Sequence, residues 1–458
     1  MTVRLSVYIF LWAINAVAVG DADTVIVTFP TFLLCLFNVS RVKSSYLTVA
    51  DMFWFVYFAF FVLGPVQTLS DNYFRKGGPV FGVYFTDDEI FTAAAIPFLF
   101  ALFATIAGIV VRKNPASQRQ PVRNYTIDSS MLILLAAAIF VSFAAYVVFA
   151  GGFGNVLAAR SQRDRESVSI LRLVALASLL VSTFFSITIM LRGRQNGRSP
   201  GLFGIAVVAG SLALLAVAQN PYNTPRYFLI QSWLPVILLF LRGRLKALPF
   251  YVACLFGMLV VLPILSVTSR LGTGIFQAIQ NIDPAEDFFR LPYVDVFDIL
   301  VYEIRYVTDI GYSYGNRMLG AIFFFVPRAI WPGKSELIAL QMGEELKLMD
   351  VAGTENLSLF FGGEFYADFG LVGVAVFGFL FSWAYLRFLH NRNVTVNGLA
   401  VREFIIIAAI PIVVRGPIGA NAPLIFLTLI FFSLYLHFFA RPALATRRME
   451  TPSVSSRT

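Results

Sequence analysis

Most of the side chains that could do chemistry fall in one stretch, from about Thr268 to Asp368. It holds Arg270, Arg290, Glu303, Arg305, Asp309 and Arg317. It continues through Phe325-Val326-Pro327-Arg328-Ala329-Ile330-Trp331-Pro332-Gly333-Lys334 and ends at Gly362-Gly363-Glu364-Phe365-Tyr366-Ala367-Asp368-Phe369-Gly370. The same side of the chain, assigned below, carries Arg160, Arg163, Arg165, Arg226 and Arg415 but few lysines, namely Lys76, Lys334 and Lys347. A guanidinium never deprotonates and binds phosphate through two parallel N–H groups, so this bias fits a site that grips a phosphate or pyrophosphate. The competing expectation for any single arginine is a partner among nearby Asp and Glu residues, or a charge snorkelling to lipid headgroups. Arg226, at the mouth of a helix in Asn220-Pro221-Tyr222-Asn223-Thr224-Pro225-Arg226, and Arg328, between Pro327 and Trp331, stand foremost. Each lies beside apolar surface, where an isolated guanidinium is costly without an anion.

Among the acids, Glu364 follows two glycines that allow close backbone approach to a ligand, and it precedes an apolar span. A carboxylate half-withdrawn from water can act as a general base; the alternative is a salt bridge to one of the arginines. Glu303 and Asp309 are weaker candidates, because a surface helix carries polar residues anyway. Asp21-Ala22-Asp23 has a spacing that can hold a divalent cation but more often marks a hairpin turn, and no metal or cofactor site is expected. Asp87-Asp88-Glu89 reads as a helix N-terminus, and Asp51 as structural. His390 and His437 fall at expected cytoplasmic helix ends, so chemistry on the other face proceeds without imidazole. Cys35 and Cys254 lie in apolar runs, which excludes a disulfide framework.

The elements that must position these groups are spans of a membrane. The chain is 58% hydrophobic and 13% charged with 48 Phe, whereas a soluble domain is about a quarter charged. Apolar runs appear near 5–20, 24–39, 47–64, 89–111, 130–150, 170–191, 201–218, 227–241, 248–267, 368–388, 403–419 and 421–440, which predicts an all-α polytopic membrane protein of about twelve transmembrane helices. The pair after 403 is broken by Pro411, Arg415, Gly416 and Pro417, so the Arg415 turn is expected to line a cavity. Lys and Arg collect in alternate connections: Arg41 and Lys43; Arg112 to Arg123; Arg192 to Arg198; Arg242 to Lys246; Arg387 to Arg402; and the tail from Arg441. Short basic connections stay in the cytoplasm, which puts both termini inside and the long polar stretch outside. The net charge of +9 therefore reflects topology rather than a nucleic-acid partner.

The expected layout is nine helices over 1–267, a large external loop over 268–367, three helices over 368–440 and a disordered tail over 441–458. Within the loop, Tyr293, Phe297, Leu300, Val301 and Ile304 recur at helical spacing, predicting an amphipathic helix on the membrane surface. Leu319 to Trp331 is too short to span and reads as re-entrant or interfacial. Arg4 with Ala16-Val17-Ala18 has a signal-peptide look, but a retained first helix is favoured because the next apolar run follows at once. The absence of a phosphate-cradling Gly-rich loop with Lys argues against an ATP-driven pump.

The Pro-Arg-x-x-Trp-Pro-x-Lys run at 327–334, the Gly-Glu-x-Tyr-x-x-Phe-Gly run at 363–370, Gly151-Gly152-Phe153 followed by Arg160, and Arg226 together resemble the Wzy-type O-antigen and exopolysaccharide repeat-unit polymerases. The resemblance covers most of the chain as architecture and some fifty residues as motif. It implies a GT-C-class glycosyltransferase in the bacterial cytoplasmic (inner) membrane, acting on undecaprenyl-pyrophosphate-linked oligosaccharide within membrane lipid, with a flippase and a chain-length regulator as partners. It further implies that Arg226 and Arg328, with Arg160 or Arg305, stabilise charge on the departing pyrophosphate and that Glu364 serves the attacking hydroxyl; Arg160, Arg305, Arg317, Tyr366 and Lys334 are read as substrate-binding residues. The longer Arg-x10-Gly pattern of some members is not found cleanly. An O-antigen ligase-like enzyme, whose external histidine this chain lacks, and a flippase or transporter of lipid-linked glycans are the alternatives.

Overall fold

The computed structural model describes residues 2–19, 22–70, 85–113, 123–158, 169–195, 201–261, 264, 275–280, 296–323, 325–326, 329–345, 357–390 and 394–442. Each of the twelve apolar runs contains a helix. Seven helices are long and apolar enough to cross a membrane: Ala22–Ser40, Val49–Leu69, Asp87–Val111, Ser129–Phe149, Ile170–Arg194, Phe361–Phe388 and Asn421–Phe439. Shorter apolar helices span Val3–Ala18, Leu202–Ala218, Arg226–Phe240 and Ala247–Val261. The architecture is that of an all-α membrane protein.

In chain order the helices are α1 (Thr2–Val19), α2 (Ala22–Ser40), α3 (Val49–Phe58), α4 (Gly64–Ser70), α5 (Asp87–Lys113), α6 (Leu132–Phe149), α7 (Phe153–Leu157), α8 (Ile170–Gln195), α9 (Leu202–Ala218), α10 (Arg226–Phe240), α11 (Ala247–Phe256), α12 (Ile275–Gln280), α13 (Val296–Ile310), α14 (Asn316–Ile322), α15 (Ile338–Glu345), α16 (Phe361–His390), α17 (Val401–Arg415) and α18 (Ile418–Phe439). The most extensive packing joins α5 to α16, α8 to α6, α18 and α9, and α17 to α10; α17 also packs on α3. Polar ties run between spans: Ser142 on α6 donates to Ser178 on α8 at 2.8 Å, and the Ser178 and Tyr435 hydroxyls lie 3.0 Å apart. On α3, Asp51 is sealed from solvent and meets Arg4 of α1 at 2.5 Å, Tyr251 of α11 at 3.1 Å and the Thr48 hydroxyl at 2.8 Å. That fully partnered carboxylate is a structural joint, as expected from sequence.

Three features differ from the sequence expectations. The third span does not stop near residue 64. It passes through a π-helical turn at Ala59–Leu63 and runs on to Ser70, past Pro65, which donates no N–H to the ladder. A three-stranded sheet in the order β2-β1-β3 joins β1 (Arg123–Thr126), β2 (Val394–Val396) and β3 (Arg441–Pro442). All three strands lie in connections that the basic residues assign to one side, as do Tyr46 and Lys246, which form a bridge.

The third difference concerns α13. It does not lie along a membrane surface: Phe297, Leu300, Val301 and Ile304 are buried, and so are Val296, Ile299, Tyr302, Glu303 and Val307. α13 packs against α5, α16, α4 and the π turn, so the apolar stripe faces protein. Of the Leu319–Trp331 stretch, residues 319–322 belong to α14, and the described residues at 323, 325–326 and 329–330 are in turns or bends. The tail beyond 442 and Tyr293 lie outside the described residues.

Candidate functional site

Five consecutive residues hold the site in place. Phe360 and Phe361 enter an aromatic cage built by Tyr57, Phe61 and Phe100, with ring centroids 4.5 Å apart for Phe61 and Phe360 and 4.8 Å for Phe100 and Phe361. Gly362, Gly363 and Glu364 follow directly. α16 then breaks at Phe369 and Gly370, where Gly370 adopts a φ of 67° that a side chain would resist. The break divides α16 into a short buried segment carrying Glu364, Tyr366 and Asp368 and a long apolar one. Tyr312 packs over Gly370 and edge-on to Tyr366, with centroids 5.9 Å apart.

Asp368 fixes the next element. Its carboxylate accepts the Met318 amide at 2.9 Å and the Ser313 hydroxyl, while the Tyr314 amide donates to its backbone carbonyl at 3.0 Å. An acid on the first turn of a helix satisfies donors that the helix leaves open, so Asp368 sets the start of α14 and with it Arg317. At the other end of α14, Lys334 donates to the carbonyls of Phe323 at 3.0 Å and Val326 at 3.2 Å.

Between these supports sits a cluster of charge. Glu303 of α13 is 0% exposed, Glu364 6% and Arg317 9%. The Glu303 carboxyl lies against Gly363 so closely that a Cβ there would overlap it, with the carboxyl carbon 2.9 Å from that position. Among the described residues neither oxygen of Glu303 has a hydrogen-bond partner, nor do Nε and Nη1 of Arg317. Arg317 Nη2 donates to Gln341 of α15 at a long 3.4 Å, and Tyr302 donates to Glu345 of α15 at 3.2 Å. Burial drives the Glu303 carboxyl well above the usual carboxylate range; the neighbouring Glu364 adds to the rise and Arg317 opposes it. Tyr366 and Tyr306 are within electrostatic reach, of Glu303 and Arg317 respectively. The arrangement places a carboxyl whose burial favours its protonated form, a second carboxyl and a guanidinium in one water-poor space.

No family model, curated protein or solved structure matches the chain. Function therefore rests on the site itself. Of the residues singled out from sequence, Glu364, Arg317 and Tyr366 come together here. Arg305 is engaged elsewhere: Nε and Nη2 meet the two Glu89 oxygens at 2.7 and 2.8 Å, and the guanidinium lies 4.7 Å from the Phe85 ring centroid. That is the partnered state weighed at the outset. Lys334 caps α14. Arg226 begins α10 and is buried; it and Arg415 lie 5.7 and 4.5 Å from the centroid of the same Tyr227 ring. Arg160 and Arg328 fall outside the described residues, as do Asp21, Arg270 and Arg290. Among the described residues no group of three or more His, Cys, Asp or Glu side chains could hold a metal.

Glu303 is the residue that sequence reasoning ranked too low. The signal was present: it stands three residues after Leu300 and four before Val307, inside the apolar stripe of α13 rather than opposite it. Gly151 and Gly152, which contributed to the resemblance, end α6 with φ of 79° and 104° and donate to Val148 and Val147 carbonyls at 3.1 and 2.9 Å. Asn220 and the buried Asn223 then both donate to the Val156 carbonyl of α7, tying this turn to the approach to Arg226.

Proposed function

We propose that this chain is an integral membrane glycosyltransferase of twelve spans that joins polyprenyl-pyrophosphate-linked oligosaccharide repeats at the outer face of the bacterial cytoplasmic membrane, with both termini inside. The observation that carries the reading is the buried grouping of Glu364, Glu303 and Arg317 beside the break in α16. Glycosyl transfer from a lipid pyrophosphate needs a base for the attacking hydroxyl and positive charge for the leaving group, and needs no nucleotide. Glu364 takes the proton of the acceptor hydroxyl as its oxygen bonds to the anomeric carbon. The bond from that carbon to the pyrophosphate oxygen breaks, and its electron pair leaves on the phosphate. Arg317 offsets the charge that develops there, with Arg226 and Arg328 as further phosphate contacts. A flippase that delivers the repeats and a chain-length regulator are the partners this role implies.

A second reading, a proton-coupled flippase for the same lipid-linked glycans, draws support from the same buried carboxyl of Glu303 and from the interrupted α16, since carriers bind at broken helices and use protonatable carboxyls. Purified protein in liposomes with lipid-linked repeat units separates the two. Products several repeats long that vanish in Glu364→Gln support the polymerase; translocation without elongation supports the carrier. Transfer to a lipid A core instead of a second repeat marks a ligase.

A further inference from the structure

α14 is amphipathic in the reverse sense to a helix that faces water. Arg317, Gly320 and Ala321, three and four positions apart, are buried and form one face against protein. Leu319, Ile322 and the capping Phe323 lie on the opposite face and are 44%, 54% and 42% exposed. The charge points inward and the hydrocarbon outward, whereas a surface helix of a soluble protein does the opposite. Tyr314 before the helix and Ile330 after it are exposed as well. From Ile310 to Val326 the only charged residue is Arg317. An apolar surface of this extent marks contact with another apolar phase.

The position of α14 in the fold says which phase that is, because the helix bridges the ends of two spans. At its start, a Cβ on Gly315 would lie 3.0 Å from Phe369 Cζ, at the break in α16. At its end, the Ala321 Cβ lies 3.6 Å from where a Cβ would sit on Gly419, in the first turn of α18. The exposed apolar surface of the long segment of α16 begins at Leu371 and Val372, less than a helical turn of about 5 Å past Phe369. The backbone suits the same surroundings. Carbonyls that leave a helix rely on water, and hydrocarbon offers them no donor. Here the Lys334 ammonium supplies one to Phe323 at 3.0 Å and to Val326 at 3.2 Å.

We propose that α14 is immersed in the bilayer leaflet on the side away from the basic connections, with Leu319, Ile322 and Phe323 against lipid chains near the headgroups. The occupant of this face is lipid rather than a second protein, because the face adjoins the exposed surface of a span and presents no charge that would set the register of a protein partner. The immersion places Arg317, whose Nε and Nη1 have no hydrogen-bond partner among the described residues, at the depth of lipid phosphates. An anion carried on a lipid then reaches the guanidinium without leaving the bilayer surface. The immersion does not depend on the glycosyltransferase reading; a carrier of anionic lipids would need it equally.

The test places nitroxide spin labels on the full chain in phosphatidylcholine nanodiscs, in a background with Cys35 and Cys254 replaced. Single cysteines go in at Leu319 and Ile322, at Val372 as the span reference and at the exposed Asp309 as the water reference. Power saturation then compares collisions with oxygen, which concentrates in lipid, and with a water-soluble nickel chelate. The expected result is an oxygen-to-nickel ratio at Leu319 and Ile322 several-fold above that at Asp309 and approaching that at Val372. A ratio equal to that at Asp309 overturns the proposal by showing water on this face. Low collision rates with both reagents overturn it by showing a protein cover, whether a partner or a second copy. A fluorophore on the Ile322→Cys side chain gives the depth. Phosphatidylcholine brominated near the head end of its chains should quench it more than phosphatidylcholine brominated at the far end; no quenching by either, or stronger quenching by the far end, overturns the placement near the headgroups. Neither readout uses a glycan, so immersed labels in a protein that never elongates repeats overturn the enzymatic reading alone.

Discussion

Gly363 and Glu303 depend on each other at atomic distance. A methyl group at 363 would overlap the Glu303 carboxyl and would stand 3.0 Å from Leu300 Cδ1, and neither neighbour can swing into solvent. Gly363→Ala should therefore destabilise the protein by about 1–3 kcal/mol, the usual cost of overpacking. Combined with Glu303→Ala, the penalty should fall well below the sum of the two single changes, which thermal melts of the four proteins in detergent would measure. The carboxyl itself gives stability a pH dependence whose sign is fixed. Because the folded value of Glu303 lies well above its ordinary range, the unfolded chain releases that proton first as pH rises. The stability that Glu303 contributes is whole below the ordinary carboxyl range and is lost as pH climbs toward the folded value. As pH rises above the ordinary carboxyl range, the melting temperature of the wild type should decline more steeply than that of Glu303→Gln. Equal slopes would mean that Glu303 is ionised in the folded protein.

At the scale of elements, the apolar helices were readable because length and hydropathy specify them: each apolar run contains a helix, and seven helices are long and apolar enough to cross a membrane. The role of α13 was not. Periodicity shows that Phe297, Leu300 and Ile304 share a face, but it does not tell whether lipid or protein covers that face. Here α5 and α16 do, and they carry Glu303 inward. The motifs carry a related lesson: Asp368, which the sequence did not single out, and Lys334, read there as substrate-binding, hold the two ends of α14 through contacts that no local spacing encodes. Glu364, Arg317 and Tyr366 were legible as residue types; their convergence needed the fold. Asp368→Ala should leave the Met318 amide and the Ser313 hydroxyl without their acceptor, costing about 1–3 kcal/mol. It should also loosen Arg317, so any assay of the site should lose binding of the anionic ligand before it loses overall fold. A melting curve and a ligand titration on the same variant separate the two effects.

Across the whole molecule, the connections sort into two groups that touch only their own kind among the contacts described here. Tyr46 with Lys246, and the strands at 123–126, 394–396 and 441–442, join connections rich in Lys and Arg. The turn at Val156 with Asn220 and Asn223, and Glu89 with Arg305, join the others. The sheet was invisible in sequence because its strands are two to four residues long and separated by up to hundreds of positions. The basic-residue pattern nevertheless grouped them, since the same charge that keeps a connection on one face also brings it near its partners. This sorting predicts accessibility. In a background with Cys35 and Cys254 replaced, single cysteines at the exposed positions Ser45 and Ser129 should react with a membrane-impermeant maleimide only after cells are opened, whereas cysteines at Tyr222 and Asp309 should react in intact cells. Reversal of both pairs would invert the orientation and leave the fold standing, placing the Glu303 site toward the cytoplasm. Reaction of Ser45 with Tyr222 in the same compartment would break the partition itself, and with it the placement of the carboxyl pair at an outer leaflet.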